Sequence, residues 1–425
     1  MTRSRSESRR RAAAVPNQDA GSLFVNAAEL VTCESAGSES VLRGVALLVR
    51  GERIERIGDA AALREQAPEA WPIDCAGGVL TPGLVDSHTH AVFGRWRAAE
   101  YELRSRGVSY MEIAKQGGGI NASVDDLRQR SEDELVDLTR DRLREMLRHG
   151  TTTAEVKSGY GLRTDDELKM LRVVRRLSDE GPLDLLPTFL GAHEFPPEYR
   201  NQRNAYVDLL VSEMIPRVAE ERLAVFCDVF MEPGVYTAQQ ARRILEAGLE
   251  HGLIPKLHAD ELDGSGGAEL AVELEAASAD HLGQVSDAGV RALARADCKT
   301  VATLLPGTLF FLGRTQYAPG RRLLDAGADV ALATDFNPGS SPTPNLQLVL
   351  TIACSQMSLV PLEALVAATA AGARALRLED GRGTLAPGAP ADIVIWDVAS
   401  HQEIAYRYGV NRVREVWKRG VKVEV

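Results

Sequence analysis

The sequence predicts an α/β protein: a (β/α)8 TIM-type barrel carrying a small β-sandwich built from both chain ends. Apolar strand segments alternate with helical stretches through the middle of the chain. Both ends are instead rich in short β-type runs. Most of the histidines fall where barrel strands would end, which is where such barrels place their chemistry. The 425 residues leave room for a barrel of ~250 residues and an accessory unit.

In chain order, residues 1–21 predict a disordered basic tail. Met1 to Arg11 is Arg- and Ser-rich, and no apolar stretch follows it as a secretory signal would require. From Ser22 to about Ile73 the chain reads as short strands. The run from Val41 to Ile54 is broken at Gly51, a hairpin-like pattern. The C-terminal part repeats this pattern, with Ala391–Asp397 reading as a strand and Val413–Val423 alternating and then turning. Because chain termini often lie close together, residues 22–81 and 381–425 are expected to form one composite β-sandwich domain, with the barrel spanning 82–380.

Eight apolar segments predict the barrel strands: Val79–Ser87, Thr152–Lys157, Leu183–Leu190, Val225–Met231, Ile254–His258, Ser278–His281, Thr300–Leu305 and Asp329–Asp335. Helical stretches separate them, and Pro361–Leu376 supplies the last helix. Two helices are expected to open on capping boxes, Ser131 with Glu134 and Thr164 with Glu167.

Composition narrows the partners. The net charge of −11 disfavours nucleic acid, whose phosphates need clustered Lys and Arg, and means that an anionic substrate needs a local cation. No apolar run reaches the ~18 residues of a membrane span. The five cysteines, Cys33, Cys75, Cys227, Cys298 and Cys354, are scattered without a CxxC pair. Free thiols and a reducing, cytoplasmic location are the expectation.

His88-Thr89-His90 is the sharpest motif. Residues i and i+2 of a strand point to one face, so both imidazoles would aim into the barrel mouth. Three further strands end in His258, His281 and Asp335, each a competent ligand. Imidazoles with one carboxylate suit Zn2+, with Fe or Mn as alternatives, and an open coordination position makes such a site catalytic. The fourth strand contains no lysine that could be carboxylated to bridge a second ion, which favours a single metal. Cys227 and Glu232 on that strand are the residues that could alter the ligand set. Glu261, three residues past His258, is placed to shuttle a proton without binding metal, or simply to favour a helix N-terminus. Asp335 could accept a proton from an activated water, and His281 could orient that water. Arg95 and Arg97 follow the histidine pair and could meet a substrate carboxylate. The glycine loops at Gly117–Gly119 and Ser158–Gly161 lack a Walker lysine or GxGxxG frame, which argues against nucleotide binding.

Thr81-Pro82-Gly83-Leu84-Val85-Asp86-Ser87-His88-Thr89-His90 resembles the first-strand signature of the amidohydrolase superfamily, and Gly383 to Val394 resembles its returning β-domain. Further segments resemble one branch of it: Glu155 to Leu162, Gly191 to Tyr199, His258-Ala259-Asp260-Glu261, Ser278 to Leu282 and Ala333 to Ser340. The resemblance covers nearly all of the chain after about residue 22. It implies hydrolysis of 4-imidazolone-5-propanoate to N-formimidoyl-L-glutamate in histidine degradation. It implies one Zn2+ or Fe ion per subunit on His88, His90, His258 and Asp335. Arg97 and Tyr160 would hold the substrate carboxylate, and His193 and Glu261 would flank the ring. Asn337, Gly339 and Ser340 would also contact the small-molecule substrate. His281 would stand behind the metal ligands and act with Glu261 and Asp335 in catalysis. The resemblance further implies a homodimer.

Two rival readings follow from the same residues. An aminohydrolase that deaminates a purine, pyrimidine or triazine also uses a His-x-x-Glu segment and a single metal, but has no need of a cation such as Arg97. A non-enzymatic scaffold with this barrel would tend to lose ligands, whereas here the full set is present.

Overall fold

The computed structural model describes residues 21–108, 112–113 and 117–424. Of the expected basic tail, 1–21, only Gly21 lies within the described residues. Eight parallel strands follow one another: β1 (Leu84–Asp86), β2 (Thr151–Lys157), β3 (Asp184–Ala192), β4 (Phe226–Met231), β5 (Ile254–Ala259), β6 (Ser278–His281), β7 (Val301–Leu304) and β8 (Val330–Leu332). Each pairs with its neighbour in sequence. Closure of β8 onto β1 comes just beyond the strand ends. The Asp335 N–H donates to the His88 carbonyl at 3.0 Å, and the His90 N–H donates to the Phe336 carbonyl at 2.9 Å. One layer below, the Asp86 carboxyl accepts the Thr334 N–H at 3.0 Å and its hydroxyl at 2.6 Å. The ring is therefore sealed by the residues that carry the candidate ligands.

The first predicted strand is two strands. Val79–Pro82 pairs in a different sheet, and the chain enters β1 only after Gly83. Proline has no N–H with which to continue a ladder. Gly83 approaches the Thr152 side chain so closely that a Cβ would collide with it. The chain crosses between sheets where both residues permit the turn.

Both ends of the chain build the remaining sheets. A six-stranded sheet draws Glu29–Val31, Val41–Leu42 and Val79–Pro82 from before the barrel and Ile393–Trp396, Val413–Lys418 and Val421–Val423 from after it. A four-stranded sheet holds Ser22–Val25, Ala46–Arg50, Arg53–Gly58 and Trp71–Asp74. The hairpin expected at Gly51 joins Ala46–Arg50 to the edge strand Arg53–Gly58, with Gly51 at φ +56°. Phe24, Leu47 and Ile54 of one sheet bury against Leu80, Ile393 and Trp417 of the other. Among the described residues no helix is long and apolar enough to cross a membrane.

Helices cover the outside of the barrel. Glu132–Arg148 opens on the predicted capping box: the Ser131 hydroxyl accepts the Glu134 N–H, and the Glu134 carboxylate accepts the Ser131 N–H. Its apolar stripe, Leu135, Val136, Leu143, Met146 and Leu147, is buried. The second predicted box does not form at Thr164–Glu180. The Thr164 hydroxyl donates to Glu213 instead, and Glu167 turns inward to accept three backbone N–H groups from the preceding loop. A buried carboxylate with three donors gains more than one at a wet helix end. The last predicted helix is also divided, into Pro361–Ala367 and Ala370–Ala375.

The seal at Asp86 has a pH signature. Burial pushes its carboxyl up to about 7, against the pull of the Thr334 hydrogen bonds. A free aspartate titrates near about 3.9, so the fold keeps a proton that the unfolded chain releases, and that stability is lost progressively as pH rises from about 4 to about 7. Asp86→Asn keeps an acceptor for the Thr334 N–H and does not titrate. In chemical denaturation its stability relative to the parent should improve from about pH 6 to about pH 8.5, and a pH-independent difference would contradict this account.

Candidate metal centre and active site

His88 and His90 leave β1 on the same side, and their Nε2 atoms stand 3.3 Å apart. The Asp335 Oδ1 faces both, at 3.6 Å from His88 Nε2 and 3.4 Å from His90 Nε2. Its other oxygen accepts the Thr308 hydroxyl at 2.5 Å, which fixes the carboxylate's orientation. His258 and His281 complete the cluster, with rings 4.6 Å and 5.4 Å from that of His88. Ligand atoms of His88, His90 and Asp335 lie within 4.8 Å of one another, as do those of His88, His258 and His281. All five residues are buried. Burial, followed by neighbouring positive charge, holds the His88 and His90 imidazoles well below their usual range, so they present neutral lone pairs near pH 7. The His258 Nε2 is buried without a hydrogen-bond partner. An orphaned imidazole nitrogen among neutral imidazoles and a fixed carboxylate fits a divalent cation.

A layer of charge lies directly beneath, drawn from alternate residues of β2, β4, β5 and β6. The His88 Nδ1 meets Asp280 Oδ2 at 2.6 Å, which leaves Nε2 free to ligate. The His258 Nδ1 lies 3.0 Å from Asp228 Oδ2, a charge contact off the line of a hydrogen bond. Lys157 donates to Glu155 at 2.6 Å and Asp228 at 2.8 Å, with Asp280 at 3.8 Å. Lys256 stands 3.8 Å from Asp280 and donates to the Ser87 carbonyl at 3.1 Å. Burial alone would lower the Lys157 pKa, but the surrounding carboxylates outweigh it and raise it. They likewise outweigh burial at His258, whose pKa is raised by Asp228.

Glu261 stands beside this cluster, its Oε2 3.5 Å from His281 Nε2. Burial, and then the Asp335 charge, pushes its carboxyl up to about 7. Asp260 turns the chain at φ +52° and caps the following helix, accepting N–H groups of Gly267 and Ala268 at 3.1 and 3.0 Å. The Glu232 carboxylate is occupied by the N–H groups of Glu261, Leu262 and Asp263. Cys227 points outward against Gly248, away from the histidines.

The other predicted substrate residues ring the same mouth. The His193 ring stacks on His90 at 5.0 Å and 17°, and Tyr160 lies 5.5 Å from His193. His193 Nδ1 lies 3.0 Å from the Gly159 carbonyl. The Tyr160 loop is held by Glu167, which accepts the N–H groups of Gly159, Gly161 and Leu162 at 2.8–2.9 Å. The Arg97 guanidinium occupies the space where a Cβ on Gly339 would stand, and its buried Nε has no hydrogen-bond partner. The Asn337 amide is spent within its own loop: it donates to the Asp335 carbonyl at 2.7 Å and accepts the Gly339 and Ser340 N–H groups at 2.8 Å. Asn337 therefore shapes the loop, while the Gly339 backbone borders Arg97. Sequence reasoning missed the parts played by Asp228, Asp280, Glu155, Lys157 and Lys256. The available signal was charged residues at spacing two inside apolar strands, as in Glu155-Val156-Lys157.

Comparison with known proteins places the chain in a family. A sequence model of the amidohydrolase family matches residues 79–423. The imidazolonepropionase of Geobacillus kaustophilus (strain HTA426) is 49% identical over 369 residues, 87% of this chain and 85% of its own. That of Bacillus velezensis is 45% identical, over 94% of this chain and 96% of its own. In fold the chain is similar to a 5-methylcytosine deaminase from Klebsiella pneumoniae, with TM-score 0.72, 18% identity and coverage of 95% and 97%. It is also similar to a zinc-bound adenosine deaminase from Xanthomonas campestris, with TM-score 0.68, 19% identity and coverage of 94% and 92%. With sequence identity to imidazolonepropionases close to one half across most of its length, the chain belongs to the amidohydrolase family and, within it, to the imidazolonepropionases.

Proposed function

We propose that this chain hydrolyses the ring C–N bond of 4-imidazolone-5-propanoate to N-formimidoyl-L-glutamate in histidine degradation, using one metal ion held by His88, His90, His258 and Asp335. The observation that carries the reading is a buried cluster of His88, His90, His258 and His281 with the fixed Asp335 carboxylate, beside which stands Glu261, while Arg97 lies against the Gly339 loop. Zn2+ suits this donor set best, with Fe the second candidate. When bound, such an ion supplies Lewis-acid activation of water near neutral pH.

The chain supplies binding and proton traffic. Arg97 and Tyr160 take the propanoate carboxylate, the local cation that a chain of net charge −11 needs for an anionic substrate. His193, stacked on His90, lies along the ring, and the Gly339–Ser340 backbone borders it. The oxygen of a water bonds to the ring carbonyl carbon, and the bond from that carbon to the ring nitrogen breaks. Asp335 and Glu261 each take one proton of the water; Glu261 delivers its proton to the departing nitrogen, and the other passes to solvent as the new carboxylate forms. Glu261 suits this because a carboxyl near about 7 exchanges its proton readily at neutral pH. Burial pushes the His281 imidazole down to about 4, so it is neutral and offers one N–H to the carbonyl oxygen as charge develops there. The five free cysteines support a cytoplasmic location, and a homodimer is the assembly we assign by resemblance.

Two variants test this. Glu261→Gln should lower kcat by ~100-fold or more with metal content unchanged, and undiminished turnover would remove Glu261 from the mechanism. Arg97→Ala should raise KM for 4-imidazolone-5-propanoate roughly 10- to 100-fold, the equivalent of about 1.5–3 kcal/mol for a charge-assisted contact. An unchanged KM would remove Arg97 from binding of the substrate carboxylate.

A further inference from the structure

Two loops of the site hang on buried carboxylates that touch neither the metal cluster nor the space around Arg97. Glu167 holds the Tyr160 loop. Glu232, 2% exposed at the end of β4, holds the turn after β5. Its Oε1 accepts the N–H of Glu261 at 2.6 Å and of Leu262 at 3.1 Å, and its Oε2 accepts the N–H of Asp263 at 3.2 Å. The hydrogen bonds that the Glu232 carboxylate accepts thus come from the backbone of this turn.

That turn needs an external anchor. It begins at Asp260 with φ +52°, a left-handed conformation that persists only where its surroundings fix it. It carries Glu261 out of a regular strand, and its far side is bounded by Gly283, where a Cβ would stand 3.1 Å from the Glu261 carbonyl. The segment past β6 leans on it: the Gln284 N–H donates to the Asp260 carbonyl at 2.7 Å. That segment starts at His281 and Leu282, with φ +77° and +58°. Side-chain direction at Glu261 is set by its backbone, and proton transfer requires its oxygen within hydrogen-bond reach of the reacting atoms.

We propose that Glu232 is a positioning residue for the ring-opening reaction: by clamping the three consecutive N–H groups of Glu261, Leu262 and Asp263 it aims the Glu261 carboxylate at the reacting atoms. The proposal rests on the function given above. A loosened turn moves Glu261 without moving Arg97 or the metal ligands. The clamp therefore acts on kcat and not on substrate affinity or metal retention.

The test combines steady-state kinetics, metal content and hydrogen–deuterium exchange of the peptide spanning 259–266 in the metal-loaded full chain. Glu232→Ala should lower kcat roughly 10- to 100-fold, the loss expected from misplacing a reacting group by about 1 Å, with KM changed by less than about threefold. Metal per chain should stay at the parental value, and exchange at 261–263 should accelerate. Glu232→Gln retains one acceptor oxygen and should fall between the two in both kcat and exchange. If Glu232→Ala does not fold, Glu232→Gln decides alone. Parental kcat, unchanged exchange, or a kcat loss that tracks metal loss would each overturn the proposal. A parent protein inactive on 4-imidazolone-5-propanoate would instead refute the assigned reaction, while the exchange data would still decide whether Glu232 clamps the turn.

Discussion

One buried ammonium group organises the centre of this barrel. Lys157 sits fully buried between Glu155 and Asp228, with Asp280 within 3.8 Å. Without that cation, three carboxylates would crowd a space with no solvent to separate them, and breaking such a buried set typically costs about 3–5 kcal/mol. With it, Asp280 can take the Nδ1 of His88 and Asp228 can face the Nδ1 of His258. Each of these histidines then turns its other nitrogen up into the mouth. The metal-facing geometry thus depends on a charge balance one layer below it, inside the barrel interior where alternate strand residues meet.

The rim is built on a different constraint. Strand ends must change direction sharply to bring side chains over the mouth, and Asp260, His281, Leu282 and Asp335 all do so at positive φ. Such conformations persist only where the surroundings fix them. Here the fixing groups are side chains that accept or give hydrogen bonds to backbone: Asp260 to the helix after it, Glu232 to the turn of Glu261, Glu167 to the loop of Tyr160, and Asn337 to its own loop. Rigidity at these four places is what allows neutral imidazoles, one carboxyl near about 7 and one guanidinium to keep their relative positions.

Much of this was legible in the sequence, for identifiable reasons. The His88–His90 pair could be read because spacing two in a strand fixes direction, and Asp335 because it ends an apolar run. The eight strands were legible because turns and amphipathic helices separate them; the Ser131 box is a purely local signal and forms as expected. What was hidden depends on partners far along the chain. Glu167 carries the same local pattern as Glu134, yet it is buried among backbone donors that only the folded loop brings near. The break at Gly83 depends on Thr152, and the role of Glu232 depends on residues about thirty positions away. Lys157 could be placed on its strand but not paired, because its carboxylates come from three strands.

The central claim is that this histidine–aspartate cluster, loaded with a metal, opens the ring of 4-imidazolone-5-propanoate. The most direct measurement follows the ultraviolet absorbance of freshly generated substrate with the parent protein, before and after chelation. The account predicts fast loss of absorbance with formation of N-formimidoyl-L-glutamate, abolished by chelation and restored by adding Zn2+ or Fe back. Loss no faster than the spontaneous background, from protein shown to contain metal, would contradict it.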